Sequence, residues 1–150
     1  MASVHDVAAY ILAKAAPMSA MKLQKLCYFA YGYHLAWEDR SLFPERFEAW
    51  ANGPVAPDLY TRHRGRFELE SGDIAGDPSA LDDDERESVD VVLENMRAYS
   101  AHELSDMTHR QGPWVHARSR AQVQDLDRST EPLLDEDIAD FFGALVERED

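Results

Sequence analysis

The stretch from Ser19 to Asp39 constrains the fold more than any other part of the chain. Its apolar residues are Met21, Leu23, Leu26, Cys27, Tyr28, Phe29, Ala30, Tyr31, Tyr33, Leu35, Ala36 and Trp37. At helical spacing they surround the axis instead of forming one stripe. A helix that is apolar nearly all round is shielded from water only in the middle of a fold. Ser19 is a good N-cap. The segment is therefore expected to be a long central helix with the rest of the chain packed around it.

The flanking segments read as further helices. Ser3 with Asp6 three residues on resembles a capping box. Val4, Val7, Ala8, Ile11, Leu12 and Ala15 follow at helical spacing, and Pro17 stops the run. Asp82, Asp83, Asp84 and Glu85 place four carboxylates where a helix N-terminus favours negative charge. Val89, Val92, Leu93, Met96 and Tyr99 then make one stripe. Ser100 and Glu103 predict a cap for a short helix with Leu104 and Met107, and Gly112-Pro113-Trp114 restarts the chain into another. Asp135 is expected to cap a last helix that presents Ile138, Phe141, Phe142 and Leu145 on one face.

Between these lie two less regular stretches. Ser41 to Trp50 predicts a brief strand. Asn52-Gly53-Pro54 is a turn, with Pro54 suited to the first position of a helix from about Val55 to His63. Gly65 to Pro78 reads as a loop with a strand around Phe67 to Ile74, pairing with the Phe47 segment. The expected architecture is mainly α: residues 1 to 150 as one compact helical domain with a long central helix and at most a small β-hairpin.

Charge narrows the partners. Twenty-nine acidic and fifteen basic residues give a formal net charge of −14. Such a surface repels phosphate backbones, so direct nucleic-acid binding is not expected. An acidic protein suits a basic partner. No stretch approaches the roughly 20 apolar residues of a membrane span, and the N-terminus lacks the basic start and apolar run of a signal peptide. A single cysteine, Cys27, fits a reducing compartment. The chain is thus expected to be cytoplasmic. Arginine outnumbers lysine, and with abundant alanine and aspartate this is the composition of a GC-rich bacterial genome.

No motif points to catalysis or a cofactor. His102, His109 and His116 are spaced by sevens, but Gly112-Pro113 breaks any common helix, and no H-E-x-x-H or paired Cys/His spacing occurs. No metal or cofactor is expected. Cys27 lies in the most apolar helix, where a buried thiol is inert. Asn52 to Asp58 is not a phosphate cradle, because Pro54 and Pro57 remove two of the backbone N–H groups such a site needs. The run Arg62, His63, Arg64 and Arg66 reads as a solvated helix end. No G-x-S-x-G, P-loop or kinase pattern is present. An enzyme with an unrecognised site stays open as the less favoured alternative to a binding protein.

Three groups of residues resemble one family. Met21-Lys22-Leu23-Gln24-Lys25-Leu26-Cys27-Tyr28-Phe29-Ala30-Tyr31-Gly32 looks like the signature helix of the Panacea, or SocA-like, domain. Phe47 to Tyr60, with Ala49-Trp50, Gly53-Pro54-Val55, Pro57 and Leu59-Tyr60, resembles its second motif. Leu104-Ser105 with Thr108-His109 and Pro113-Trp114 is similar to its third, and Ile138 to Phe142 fits its last helix. Agreement is least from Gly72 to Glu85. The resemblance implies a helical antitoxin that neutralises a cognate protein toxin by direct contact, alarmone-synthetase-like toxins being one class of partner. It also implies an alternative, an adaptor that delivers a toxin to a protease. A chain of this length leaves no room for a separate DNA-binding domain, so self-repression is not expected.

The aromatics around the central helix cannot all face one core. A docking face for the toxin is therefore expected from Tyr28, Tyr31, Asn52, Val55, Tyr60 and Arg62, beside a rigid Gly53-Pro54 turn. The alternative is that these residues hold the fold together.

Overall fold

The computed structural model describes residues 1–124 and 127–149. It is mainly α, with seven α-helices and four very short strands among those residues. Local capping chemistry sets most helix starts. At α1 (Val4–Ala15), Ser3 Oγ accepts from Asp6 N–H at 3.1 Å and Asp6 accepts from Ser3 N–H at 2.9 Å. Ser19 caps α2 (Ala20–Glu38), which ends where Asp39 turns left-handed at φ 53°. Asp82 with Glu85 caps α4 (Asp83–Met96), and Ser100 with Glu103 caps α5 (Ala101–Thr108). Pro113 sits in the first turn of α6 (Gly112–Arg120). Asp135 is the first residue of α7 (Asp135–Glu149), one place inside the expected cap position.

Helix α2 is central, as its sequence requires. It packs against α1, α4, α5, α7 and the strand β3 (Gly53–Val55). Leu23, Leu26, Cys27, Tyr28, Phe29 and Ala30 are all essentially inaccessible. Gln24, Lys25 and His34 are buried as well, so even its polar residues face protein. The stripes of α4 and α7 close on it through Val89, Val92, Leu93, Ile138 and Phe142. Tyr99 leaves the expected α4 stripe: it lies beyond the helix end and is 41% exposed.

The strands pair differently from the sequence expectation. β2 (Glu48–Trp50) pairs antiparallel with β3 through a two-residue turn at Ala51-Asn52, not with the Phe67 segment. Closing a two-residue turn involves far less loop entropy than a partner some twenty residues away. Residues 68–69 form β4 (Glu68–Leu69) and pair instead with β1 (Met18–Ser19). The other edge of β2 is covered by residues 131–133: Ala49 N–H donates to Glu131 O and Leu133 N–H to Phe47 O, each at 2.9 Å.

Pro54 also departs from expectation. It belongs to β3, and Pro57 takes the first position of α3 (Pro57–His63). The register explains why a strand tolerates it. Pro54 faces Ala49, whose N–H and carbonyl both point away from β3, to Glu131 and Arg118. In such a non-hydrogen-bonded pair, the missing proline N–H leaves no ladder bond unmade.

Candidate functional site

The hairpin β2–β3 is held by side chains from three helices, and all of those residues but Arg118 fall within the three sequence motifs. From α2, Gln24 clasps Ala56. Its Oε1 accepts the Ala56 N–H at 2.9 Å, while its Nε2 lies 3.3 Å from the Ala56 carbonyl and 3.0 Å from His63 Nε2. With the amide donating, His63 Nε2 is the acceptor and the ring is neutral. Burial lowers the His63 pKa in the same sense. The neighbouring Lys25 is fully buried and donates from Nζ to the Pro54 carbonyl at 3.1 Å. Burial pulls its pKa down to about 7.

The other two helices complete the clamp. From α5, Ser105 Oγ donates to the Asn52 carbonyl. From α6, Trp114 Nε1 donates to Trp50 O at 2.8 Å, and Arg118 Nη1 to Ala49 O at 2.9 Å. Arg118 also lies over the Trp114 ring, which stacks on His109 with centroids 4.3 Å apart. Tyr28 donates to Gln111 Oε1 at 3.1 Å and so ties α2 to the start of α6. Glycine is required at the turn. Gly53 has φ 119°, and a Cβ there would lie 2.7 Å from Lys25 Cε and 2.8 Å from Thr108 Oγ1.

The six residues expected at a docking face separate into two layers. Tyr28, Tyr31 and Val55 are buried, at 0%, 4% and 1% exposure. Tyr31 donates to Asp135 Oδ1 at 2.7 Å, binding α2 to α7. Asn52 and Arg62 are exposed and Tyr60 is half-buried. Tyr60 meets Trp50 edge-on with centroids 4.9 Å apart. Arg62 donates to the Ala75 carbonyl. Its neighbour His63 is buried, so the basic run is not solvated throughout.

Sequence reasoning overlooked Gln24, Lys25, Gln111 and Arg118 as the parts of the clamp. A signal existed for the first two. A polar pair in the midst of a helix that must be buried all round has to find internal partners.

The arrangement offers little for catalysis. The Lys25 amine has no exposure, and burial pushes the Cys27 thiol up. Among the described residues no three His, Cys, Asp or Glu side chains are grouped to hold a metal ion. His102 and His116 contact Asp106 and Asp137 on separate helices. No helix among the described residues is long and apolar enough to cross a membrane.

Comparison with known proteins agrees with this convergence of motifs. The family described as "Antitoxin SocA-like, Panacea domain" matches residues 23–115, the span from the middle of the Gln24 helix turn to the Trp114 contact. The antitoxin SocA of Caulobacter vibrioides (strain NA1000 / CB15N) is 36% identical, over 72% of this chain and 66% of its own length. The chain thus spans just under two thirds of that relative. No solved structure matches the chain significantly. The match takes in both strands of the hairpin and the Gln24, Lys25, Ser105 and Trp114 contacts to it, and the chain belongs to the SocA-like antitoxin family through its Panacea domain.

Proposed function

We propose that the chain is an antitoxin that neutralises its cognate protein toxin by direct binding, without catalysis. The docking face is the outer side of the clamped hairpin. Asn52, Tyr60 and Arg62 make the contact, Val55 supports it from within β3, and Tyr28 and Tyr31 hold α2 to α6 and α7 behind it. The observation that carries this reading is where the family's signature residues are used. They hold one exposed turn in a fixed geometry instead of converging on an accessible pocket. A preordered turn loses little conformational entropy on binding. Beside it, a half-buried tyrosine and an arginine are the side chains in which interface energy concentrates. The net −14 of the chain favours a toxin of basic overall charge, whose surface opposite Arg62 is acidic or polar. An alarmone-synthetase-like toxin is one candidate class.

Co-expression tests the reading. The protein encoded beside this gene should arrest growth when made alone, and the chain should restore growth and purify with it. Tyr60→Ala with Arg62→Glu should abolish rescue while thermal unfolding stays near that of the wild type. A harmless neighbour, or one that never co-purifies, removes the antitoxin reading. Rescue that needs an intact protease and is accompanied by loss of the toxin protein would replace neutralisation by delivery.

A further inference from the structure

Away from the hairpin, on the second half of α2, two adjoining hollows of about 290 and 380 Å³ open between α2 and α4. Trp37 and Val91 line both. Tyr33 stacks on Trp37 with centroids 5.1 Å apart. Tyr99 and Met107 close the end toward α5. Trp37 and Tyr99 are 37% and 41% exposed and bring aromatic surface to the groove. Glu38, Asp84 and Glu87 form the other end, and no lysine, arginine or histidine lines either hollow. The ion pairs among the described residues leave these three carboxylates out. Nearby cations are engaged elsewhere: Arg40 with Asp82 and Glu85, Arg86 with Asp83, Lys14 with Asp90.

We propose that this groove is the seat of a basic amphipathic helix of the toxin. The toxin as its source rests on the antitoxin reading above. An apolar trough between two helices accepts the apolar face of a third helix. Tyr33, Trp37 and Tyr99 supply aromatic anchors of the kind that dominate binding energy. Glu38, Asp84 and Glu87, none of them in an ion pair among the described residues, select lysine or arginine beside that face and reject acidic segments. A second copy of this chain is disfavoured, since it would set like charges against one another at a net −14 per chain.

The test has two arms. In the first, a fluorescein-labelled helical peptide with leucine on one face and lysine on the other is titrated by anisotropy, beside a twin with glutamate in place of lysine. The lysine peptide should bind saturably and more weakly as salt rises, and the glutamate twin should not bind. Glu38→Lys with Glu87→Lys, and separately Val91→Arg, should each weaken binding by about tenfold with the melting temperature unchanged. Equal binding of the twin peptide, or of the variants that stay folded, overturns the groove. Should charge reversal lower the melting temperature, Glu38→Gln with Glu87→Gln removes the charge without adding a cation.

The second arm is rescue from the toxin in cells. If the wild type fails to rescue, the antitoxin reading fails while the peptide result stands. If the wild type rescues and the folded groove variants rescue equally well, the groove is not the toxin's seat.

Discussion

Along the first half of α2, Gln24, Lys25 and Tyr28 reach the hairpin and α6 by hydrogen bonds. Along its second half, Phe29, Gly32 and Tyr33 receive the ring of Phe142 from α7. Both regions are buried, yet they do different work. The aromatic region is bound by contact area. Phe142 meets Tyr28, Phe29, Tyr33 and Phe141 with ring centroids 5.0–6.0 Å apart. Such packing stabilises strongly through the apolar area it removes from water. The polar region is bound by direction. A hydrogen-bonded network contributes less net stability but admits one arrangement, because each misaligned buried group is left unsatisfied. The difference shows how one helix can supply the stability of a domain at one end and the shape of its clamped turn at the other. Tyr28 belongs to both: its ring packs on Phe142 and its hydroxyl bonds Gln111.

The largest effect should come from the aromatic side. Phe142→Ala is expected to lower the unfolding free energy by about 3–5 kcal/mol, read by chemical denaturation. Gly32→Ala should also destabilise, against the usual helix preference, because its Cβ would lie 2.2 Å from Phe142 Cε2. In the double variant the added methyl enters the space the ring vacates. The double should therefore be more stable than the sum of the two losses. Strict additivity would mean that the notch and the ring are not the matched pair described.

A smaller effect, opposite in character, is expected from Lys25. Its folded pKa of about 7 lies below the ordinary 10.5, so the unfolded chain holds the proton more tightly. Stability then rises with pH from about 7 toward 10.5, since the unfolded state binds more protons there. The raised Cys27 thiol and the raised Tyr28 and Tyr31 hydroxyls act the other way above their ordinary values of 9.0 and 10.0. The window to measure is thus pH 7 to 9. The wild type should gain roughly 2 kcal/mol across it relative to Lys25→Met. Parallel curves for the two proteins would place the amine in water and dissolve the contrast between the two halves of α2.

The smallest change separates the two roles of one residue. Tyr28→Phe keeps the ring against Phe142 and deletes the bond to Gln111. It should lower stability by about 1 kcal/mol. Amide exchange should quicken in residues 48–55 and at the start of α6, with α7 little affected. Uniform acceleration through α7 would show that the two regions open as one unit.

Capping and burial pattern were legible in the chain itself. Ser3, Ser19, Asp82 and Ser100 each start the helix expected of them, because a cap is a bond between residues two or three apart. The all-round apolar character of residues 19–39 required a central position for α2, since no other position removes every face from water. The family resemblance was legible too, and the comparisons bear it out. The strand partners were not. Register between short strands depends on what else covers their edges, here residues 131–133 for β2 and the chain before α2 for β4.

The candidate docking residues divide along the same line. That Asn52, Val55 and Tyr60 lie on or beside one hairpin follows from their closeness in the chain, whereas Tyr28 and Tyr31 join α2 to α6 and α7. Which of them reach water does not follow from the chain alone. The hydroxyls of Tyr28 and Tyr31 find Gln111 and Asp135 eighty-three and one hundred and four positions away, while Asn52 is left exposed. Local spacing determined the helices, their caps and the burial of α2. Exposure around the hairpin and the partner that Lys25 finds were decided by tertiary structure, because both are set by neighbours that are remote in the chain and close only in the fold.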